Sequence, residues 1–120
     1  MTIRRVVPDI STDSIEESRA FYGLLGFVEV MDLGWVSTMA SPSNPTAQVI
    51  LFGPDASGMA QPDLSVEVED VDAVYATVTA AGLEIVHSLR DEEWGVRRFF
   101  VRDPNGKIVN VVSHRAIPSR

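Results

Sequence analysis

The chain has 120 residues, 45% hydrophobic and 22% charged, a composition typical of one globular domain and not of a disordered or fibrous protein. It contains no cysteine, which excludes disulfides, thiolate nucleophiles and cysteine-ligated zinc. The formal net charge of −7 argues against nucleic acid as a partner, because a phosphate backbone needs a basic surface, and suits a cationic small molecule better.

No targeting or membrane segment is predicted. The first ten residues, MTIRRVVPDI, lack the apolar stretch of a signal peptide. No segment approaches the roughly 18 apolar residues of a membrane-spanning helix. We therefore expect a cytoplasmic protein with no membrane partner.

The first half of the chain is predicted to form a strand, a helix and three more strands. Ser14 and Glu17 fit a capping box, in which each side chain satisfies the other's backbone N–H, and Gly26 is placed to end the helix. The predicted apolar stripe of this helix is Ile15, Ala20, Phe21, Leu24 and Leu25. The predicted strands are Ile3–Ile10, Phe27–Met31, Trp35–Ala40 and Ala47–Phe52.

The second half repeats this order. Asp70 can cap a second helix that Gly82 ends, with an apolar stripe of Val71, Val74, Tyr75, Val78 and Ala81. A hairpin turn is predicted at Asp103-Pro104-Asn105-Gly106, where proline presets φ and glycine supplies a positive φ. The predicted strands are Asp63–Glu69, Leu83–His87, Val96–Arg102 and Lys107–Ser113.

The two halves agree in the order and length of their predicted elements and in the residues that begin and end their helices, which indicates an internal duplication. We divide the chain into a first module at residues 1–52, a Gly- and Pro-rich linker at 53–62, a second module at 63–114 and a tail at 115–120. The predicted fold class is α+β, one domain of two βαβββ modules.

Three segments carry a resemblance to a known family. SIEESRAFYGLLGF, VEVEDVDAVYATVTAAG and WGVRRFFVRDPNGKIVNVV, in this order and spacing, resemble the vicinal oxygen chelate superfamily. That superfamily includes glyoxalase I, extradiol dioxygenases, fosfomycin-resistance enzymes and bleomycin-resistance proteins. The resemblance implies two βαβββ modules whose curved mixed sheets form a cup around a ligand.

The resemblance also says where a metal would bind. Members that use a divalent ion hold it with His and Glu side chains, and those positions correspond here to Val7, Asp63, Asn110 and either Gln48 or Ile50. Val7 offers no donor, Asn110 offers a neutral carbonyl, and one carboxylate cannot hold a metal alone. His87 and His114 show no ligand spacing and are interpreted as strand-end or surface histidines. We therefore expect no metal, no cofactor and no catalytic residue.

Among these families the bleomycin-resistance proteins are the most similar in kind. The stretches VPDI, LGWVSTM and EEWG resemble them. These proteins sequester a cationic drug in grooves of a homodimer. The resemblance implies aromatic groove walls at Trp35 and Trp94, inward-facing acids at Asp9 and Asp63, and an orienting amide at Asn110.

Each of these residues also has an ordinary structural interpretation. Trp35 fits a core position, Trp94 can close a loop, and Asn110 can satisfy a strand backbone. For Glu67 and Glu69 we favour acids that solvate a sheet face, and for Arg97-Arg98 and Asp91-Glu92-Glu93 we favour solvated edge and loop charges.

Three functions remain open at this point. The leading hypothesis is a homodimeric protein that binds a small natural product, such as a cationic one, without a metal. The second is a metal-dependent lyase, isomerase or dioxygenase with non-standard ligands. The third is a non-catalytic protein-interaction module.

Overall fold

A computed structural model describes residues 2–54 and 61–114. Residues 55–60 of the predicted linker and the predicted tail, 115–120, lie outside the described residues. The elements are β1 (Ile3–Ser11), α1 (Ile15–Leu25), β2 (Val28–Asp32), β3 (Val36–Ala40), β4 (Gln48–Phe52), β5 (Leu64–Val68), α2 (Val71–Ala80), β6 (Ile85–Asp91), β7 (Val96–Arg102) and β8 (Ile108–His114). The predicted α+β class, with the order βαβββ given twice, is confirmed.

Both helices begin at the predicted caps. The Ser14 hydroxyl accepts a hydrogen bond from the backbone N–H of Glu17, and the Asp70 carboxylate accepts one from that of Ala73, each at 3.1 Å. α1 ends at Gly26 with φ +113°, a left-handed conformation that favours glycine. Neither helix in the described residues is long and apolar enough to cross a membrane.

The predicted hairpin turn between β7 and β8 is also present. The Asp103 carboxylate accepts hydrogen bonds from the backbone N–H groups of Asn105 at 2.8 Å and Lys107 at 2.9 Å, and Gly106 has φ +82°. The bond from Lys107 in particular holds the pKa of Asp103 below its usual range. The side chain of Asp103, the first residue of the turn, therefore stabilises it.

The contacts of the chain form two compact units. The N-terminal unit is Val7–Gln61, and the C-terminal unit is Met1–Val6 together with Pro62–Arg120. In the C-terminal unit the carbonyl of Thr2 accepts a hydrogen bond from the backbone N–H of Glu69 at 3.0 Å. The predicted first module starts at residue 1, whereas the contacts assign the beginning of β1 to the other unit.

The strands of the N-terminal unit lie in the order β2-β3-β4-β1, with β1 parallel to β4 and the other pairs antiparallel. Its core is a cluster of Met39, Val49 and Leu51, against which Ile10, Tyr22 and Phe27 pack. The stripe predicted for α1 is wrong in its main members, because Phe21, Leu24 and Leu25 are 56%, 87% and 63% exposed. Tyr22 is the α1 residue in that core cluster.

The strands of the C-terminal unit lie in the order β5-β8-β7-β6. The stripe predicted for α2 is confirmed for Val71, Val74, Tyr75 and Val78, which pack with the sheet residues Val66, Val68, Phe99, Val101, Val109 and Val111. Since side chains alternate along a strand, the residues between these lie on the other face of the sheet. We call that surface the helix-free face; its members are Ser65, Glu67, Arg98, Phe100, Asn110 and Val112.

The strand β6 differs from its prediction, Leu83–His87. The backbone N–H of Leu83 donates to the carbonyl of Val78 at 3.2 Å, so Leu83 is part of the hydrogen-bonded turn that follows α2 and does not begin β6. The pairing of β6 with β7 then shifts register twice between Ile85 and Arg90. These irregularities interrupt the alternation by which a strand is recognised in a sequence.

Candidate functional site

The residues of the helix-free face form a row across the C-terminal unit. Ser65 of β5 lies opposite Asn110 of β8, Asn110 lies opposite Phe100 of β7, and Phe100 lies opposite His87 of β6. The rings of His87 and Phe100 are 4.9 Å apart. One sheet face therefore aligns an amide, an aromatic ring and an imidazole.

Asn110 makes one of its side-chain hydrogen bonds within this row. Its amide nitrogen donates to the Ser65 hydroxyl at 3.0 Å. Its carbonyl oxygen, Oδ1, is buried and has no hydrogen-bond partner among the described residues, although the residue is only 8% exposed. A buried carbonyl without a donor costs about 1–3 kcal/mol, so Oδ1 is a buried acceptor whose hydrogen bond is not made among the described residues.

Arg98 and Trp94 form the edge of the face beside β6. The Arg98 guanidinium lies over two aromatic rings, 5.0 Å from the centroid of Trp94 and 4.7 Å from that of Phe100. Trp94 is 48% exposed, so part of the indole is in solvent. Arg98 therefore already occupies the position over the Trp94 ring that a cationic ligand was expected to take.

Glu92 anchors Arg98 from the β6–β7 connection. Its carboxylate accepts from Arg98 Nε at 2.7 Å, contacts His87 Nε2 at 3.1 Å and lies 3.4 Å from Arg90 Nε. Burial alone would raise the pKa of Glu92, but the hydrogen bond and charge of Arg98, with His87 and Arg90, hold it below its usual range. Glu92 is an anion with three cationic or polar partners.

Glu92 and Arg98 were interpreted from the sequence as solvated loop and edge charges, and that interpretation is wrong. Their side chains are only 7% and 13% exposed. The alternation around Phe99 could have placed Arg98 on the face opposite α2. No sequence signal identifies Glu92 as its partner.

Glu67 is also more constrained than the sequence suggested. Its carboxylate accepts from Arg5 Nε at 2.6 Å and lies 2.9 Å from His114 Nδ1, with 16% of the side chain exposed. Burial works against ionisation, but the hydrogen bonds of Arg5 and His114 hold the pKa of Glu67 below its usual range. Glu69, by contrast, is an exposed acid as expected and pairs with Arg4 at 3.1 Å.

Asp63 lies just before β5 and is exposed. Its Oδ2 accepts a hydrogen bond from the backbone N–H of Ile108 at 2.9 Å, which ties the start of β5 to β8. Asp63 therefore has a structural role at the start of β5, and its part in a ligand site stays a prediction.

The two remaining predicted site residues belong to the N-terminal unit. Asp9 lies on β1 opposite Ile50 and is 8% exposed. The Trp35 ring packs 6.3 Å from that of Phe52, and the Trp35 carbonyl accepts from the backbone N–H of Gly53 at 3.0 Å. Their part in a ligand site stays a prediction.

Two surface clefts lie away from the helix-free face. One, of about 460 Å³, surrounds the start of α1 and includes Ser14 and Tyr22. The other, of about 220 Å³, includes Asp72 and Arg97, which pair at 2.9 Å. Neither contains the buried unpartnered carbonyl of Asn110.

The comparisons with known proteins identify the family. A family model described as the Glyoxalase/Bleomycin resistance protein/Dioxygenase superfamily matches residues 2–111. The chain belongs to this superfamily. No curated protein is similar enough in sequence to count as a match.

Several solved structures share the fold of this superfamily member. A hypothetical protein of Bacillus halodurans has a TM-score of 0.77 at 13% identity, covering 100% of each chain. A superfamily member from Vibrio splendidus has a TM-score of 0.68 at 21% identity, covering 93% of this chain and 99% of the other. Methylmalonyl-CoA epimerase from Mycobacterium tuberculosis has a TM-score of 0.67 at 19% identity, covering 96% and 89%. At these identities the likeness concerns the fold alone.

The residues at the superfamily's metal positions do not fit a divalent ion. Val7 is an apolar core residue, the Asp63 carboxylate is bonded to backbone, and Asn110 supplies one neutral oxygen. Glu92 is not a substitute ligand, because Arg98 and Arg90 already face it. Across residues 2–54 and 61–114, no group of three or more acidic or histidine side chains is arranged to hold a metal.

Proposed function

We propose that this superfamily member binds a small organic molecule without a metal ion, as a sequestering protein and not as a catalyst. The ligand lies on the helix-free face, between the half-exposed indole of Trp94 and the amide of Asn110. The observation that carries this proposal is the buried Oδ1 of Asn110, which has no partner among the described residues. A ligand N–H or O–H directed at this atom would remove an unfavourable desolvation.

The metal-dependent alternative has less support. A lyase, isomerase or dioxygenase of this superfamily would need two or three anionic or imidazole donors around one ion. The positions concerned carry a valine, an asparagine and an aspartate already bonded to Ile108. The residues of the helix-free face bind and orient a ligand without supplying that donor set.

Thermal unfolding of chelator-treated protein tests both alternatives. We expect no shift with Zn²⁺, Ni²⁺, Mn²⁺, Fe²⁺ or Mg²⁺, and a rise of several degrees with a fitting organic ligand from a panel of natural products that includes bleomycin. At about 100 times its Kd, a ligand adds roughly 2.7 kcal/mol to the free energy of unfolding. Trp94→Ala should raise the Kd of that ligand about fivefold, since a stacked aromatic contact contributes on the order of 1 kcal/mol.

Leu83→Ala is the control for this experiment. Leu83 is 47% exposed in the turn that follows α2 and is a member of neither the helix-free face nor the apolar surface of α1, so the variant should keep the ligand-induced shift. A shift produced by one metal ion and lost in Asp63→Ala would contradict the proposal and return the enzyme hypothesis to first place.

We further propose that the protein is a homodimer. Phe21, Leu24 and Leu25 of α1 and Val28 and Val30 of the edge strand β2 are all between 47% and 87% exposed. Exposed apolar side chains on a helix and on an edge strand are typical of an interface, and edge strands otherwise invite aggregation. We assign a second copy as the occupant, because the resemblance to the homodimeric bleomycin-resistance proteins implies one.

Leu24→Glu is expected to convert the dimer to a monomer, because it introduces a charge at the most exposed member of this apolar surface. Light scattering coupled to gel filtration measures the mass directly. Leu83→Glu, an exposed apolar position in the C-terminal unit, is the matched control and should remain dimeric. A monomeric parent protein, or an unchanged mass in Leu24→Glu, would contradict this assignment.

A further inference from the structure

Glu92 is shared by two arginines. Other described arginines have carboxylates of their own: Arg4 with Glu69, Arg5 with Glu67, Arg19 with Glu29 and Asp32, Arg97 with Asp72 and Asp91, and Arg102 with Glu84. Arg90 and Arg98, however, share the single carboxylate of Glu92. The Arg90 side chain is 62% exposed and that of Arg98 is 13% exposed, so Arg98 is the buried cation of this cluster.

The unused donors of this cluster belong to Arg98. Its Nε donates to Glu92, and neither of its terminal nitrogens has a hydrogen bond to the described residues. A guanidinium has a second edge formed by these two nitrogens, whose parallel N–H groups match the two oxygens of a carboxylate. Since Glu92, Trp94 and Phe100 hold the guanidinium in place, little side-chain entropy is lost when that edge is used.

We propose that the ligand of the helix-free face is a flat aromatic carboxylate. Its carboxylate pairs with the outer edge of Arg98, its ring stacks on the Trp94 indole, and a ring N–H or O–H donates to Asn110. This inference rests on the proposed binding function and names its ligand class. It replaces the cationic ligand expected from the net charge, because Arg98 already fills the cation position over the two aromatic rings.

Three probes with one ring system and different charges test this assignment. Naphthoate, naphthamide and naphthamidine are nearly isosteric and carry negative, zero and positive charge. Binding is followed by two-dimensional amide NMR of the full chain, using the indole N–H signal of Trp94, which Trp94→Phe identifies. We expect naphthoate to bind at least about tenfold more tightly than naphthamidine, as charge-assisted bidentate pairs favour the anion.

Two variants on β7 separate a specific pair from a general charge effect. Arg98→Gln should raise the Kd of naphthoate at least about tenfold. Arg97→Gln removes the same charge one residue away, on the α2 face, and should leave the affinity within about twofold. If Arg98→Gln does not fold, Arg98→Gln/Glu92→Gln removes both buried charges together and should show the same loss.

The outcomes distinguish the two proposals. Tighter binding of naphthamidine at Trp94, or equal loss in both arginine variants, would overturn the carboxylate assignment and leave the binding function standing. No response of the Trp94 signal to any of the three probes at millimolar concentration would overturn the site itself.

Discussion

Phe99→Ala is expected to reduce the free energy of unfolding by about 3–5 kcal/mol, the cost of deleting a buried phenylalanine ring and leaving a cavity. Phe99 is 0% exposed, and its ring lies edge-on to that of Tyr75 on α2 at 4.9 Å. It therefore joins the sheet of the C-terminal unit to its helix. For a domain with a total stability of about 5–15 kcal/mol, this loss is a large fraction, so the midpoint of urea unfolding should fall by a similar fraction.

Urea denaturation followed by circular dichroism measures this effect. Leu83→Ala is the control, since it truncates an apolar side chain of the same unit at a position that is 47% exposed, and it should cost less than about 1 kcal/mol. Similar losses in the two variants would show that Phe99 is not the principal contact between α2 and its sheet.

Arg98→Gln is expected to destabilise the protein by about 3 kcal/mol at pH 7, because it leaves the buried carboxylate of Glu92 without its shortest ion pair. Arg97→Gln at the next position should cost about 0.5 kcal/mol or less, since Arg97 pairs with Asp72 and Asp91, whose side chains are 57% and 62% exposed. Equal effects of the two substitutions would contradict the buried pair.

The pH dependence of this effect follows from the direction of the pKa shift. Burial raises the pKa of Glu92, but Arg98, His87 and Arg90 together lower it below the value in the unfolded chain. The pair therefore contributes its stability above the unfolded pKa of about 4.3 and loses it as the pH falls through the folded pKa. The difference between the parent protein and Arg98→Gln should shrink on acidification below about pH 4, which urea titrations at several pH values measure.

The local features of this fold were predictable because they depend on neighbouring residues. Ser14 and Asp70 cap their helices through backbone N–H groups three residues away, and Asp103 closes its turn over two to four residues. The α2 stripe was predicted because periodicity reports the face that meets a sheet of the same chain. For the first helix the same reasoning failed, because the periodicity of an apolar stripe does not tell whether the stripe packs against the chain's own core or stays exposed.

The candidate site was only partly predictable. The family resemblance implies Trp94 and Asn110 as site residues, and the structure adds that Oδ1 of Asn110 is buried without a partner among the described residues. The partners of Glu67 were not predictable, because Arg5 lies 62 residues and His114 lies 47 residues away in the sequence. The burial of Arg98 was not predictable for another reason: its partner Glu92 is only six residues away, but no sequence pattern says that the two side chains are buried together.

The sequence by itself determined the order of the elements, the duplication, the caps and turns, and the unsuitable donors at the metal positions, since these depend on residue type and short spacing. The tertiary structure alone decided which charges are paired and which side chains are buried, because those follow from the register of strands distant in the chain. Phe100, Asn110 and His87 share one row only after β6, β7 and β8 have paired. The sharing of the Glu92 carboxylate by Arg90 and Arg98 belongs to this second class, since it depends on the turn that brings β7 back beside β6.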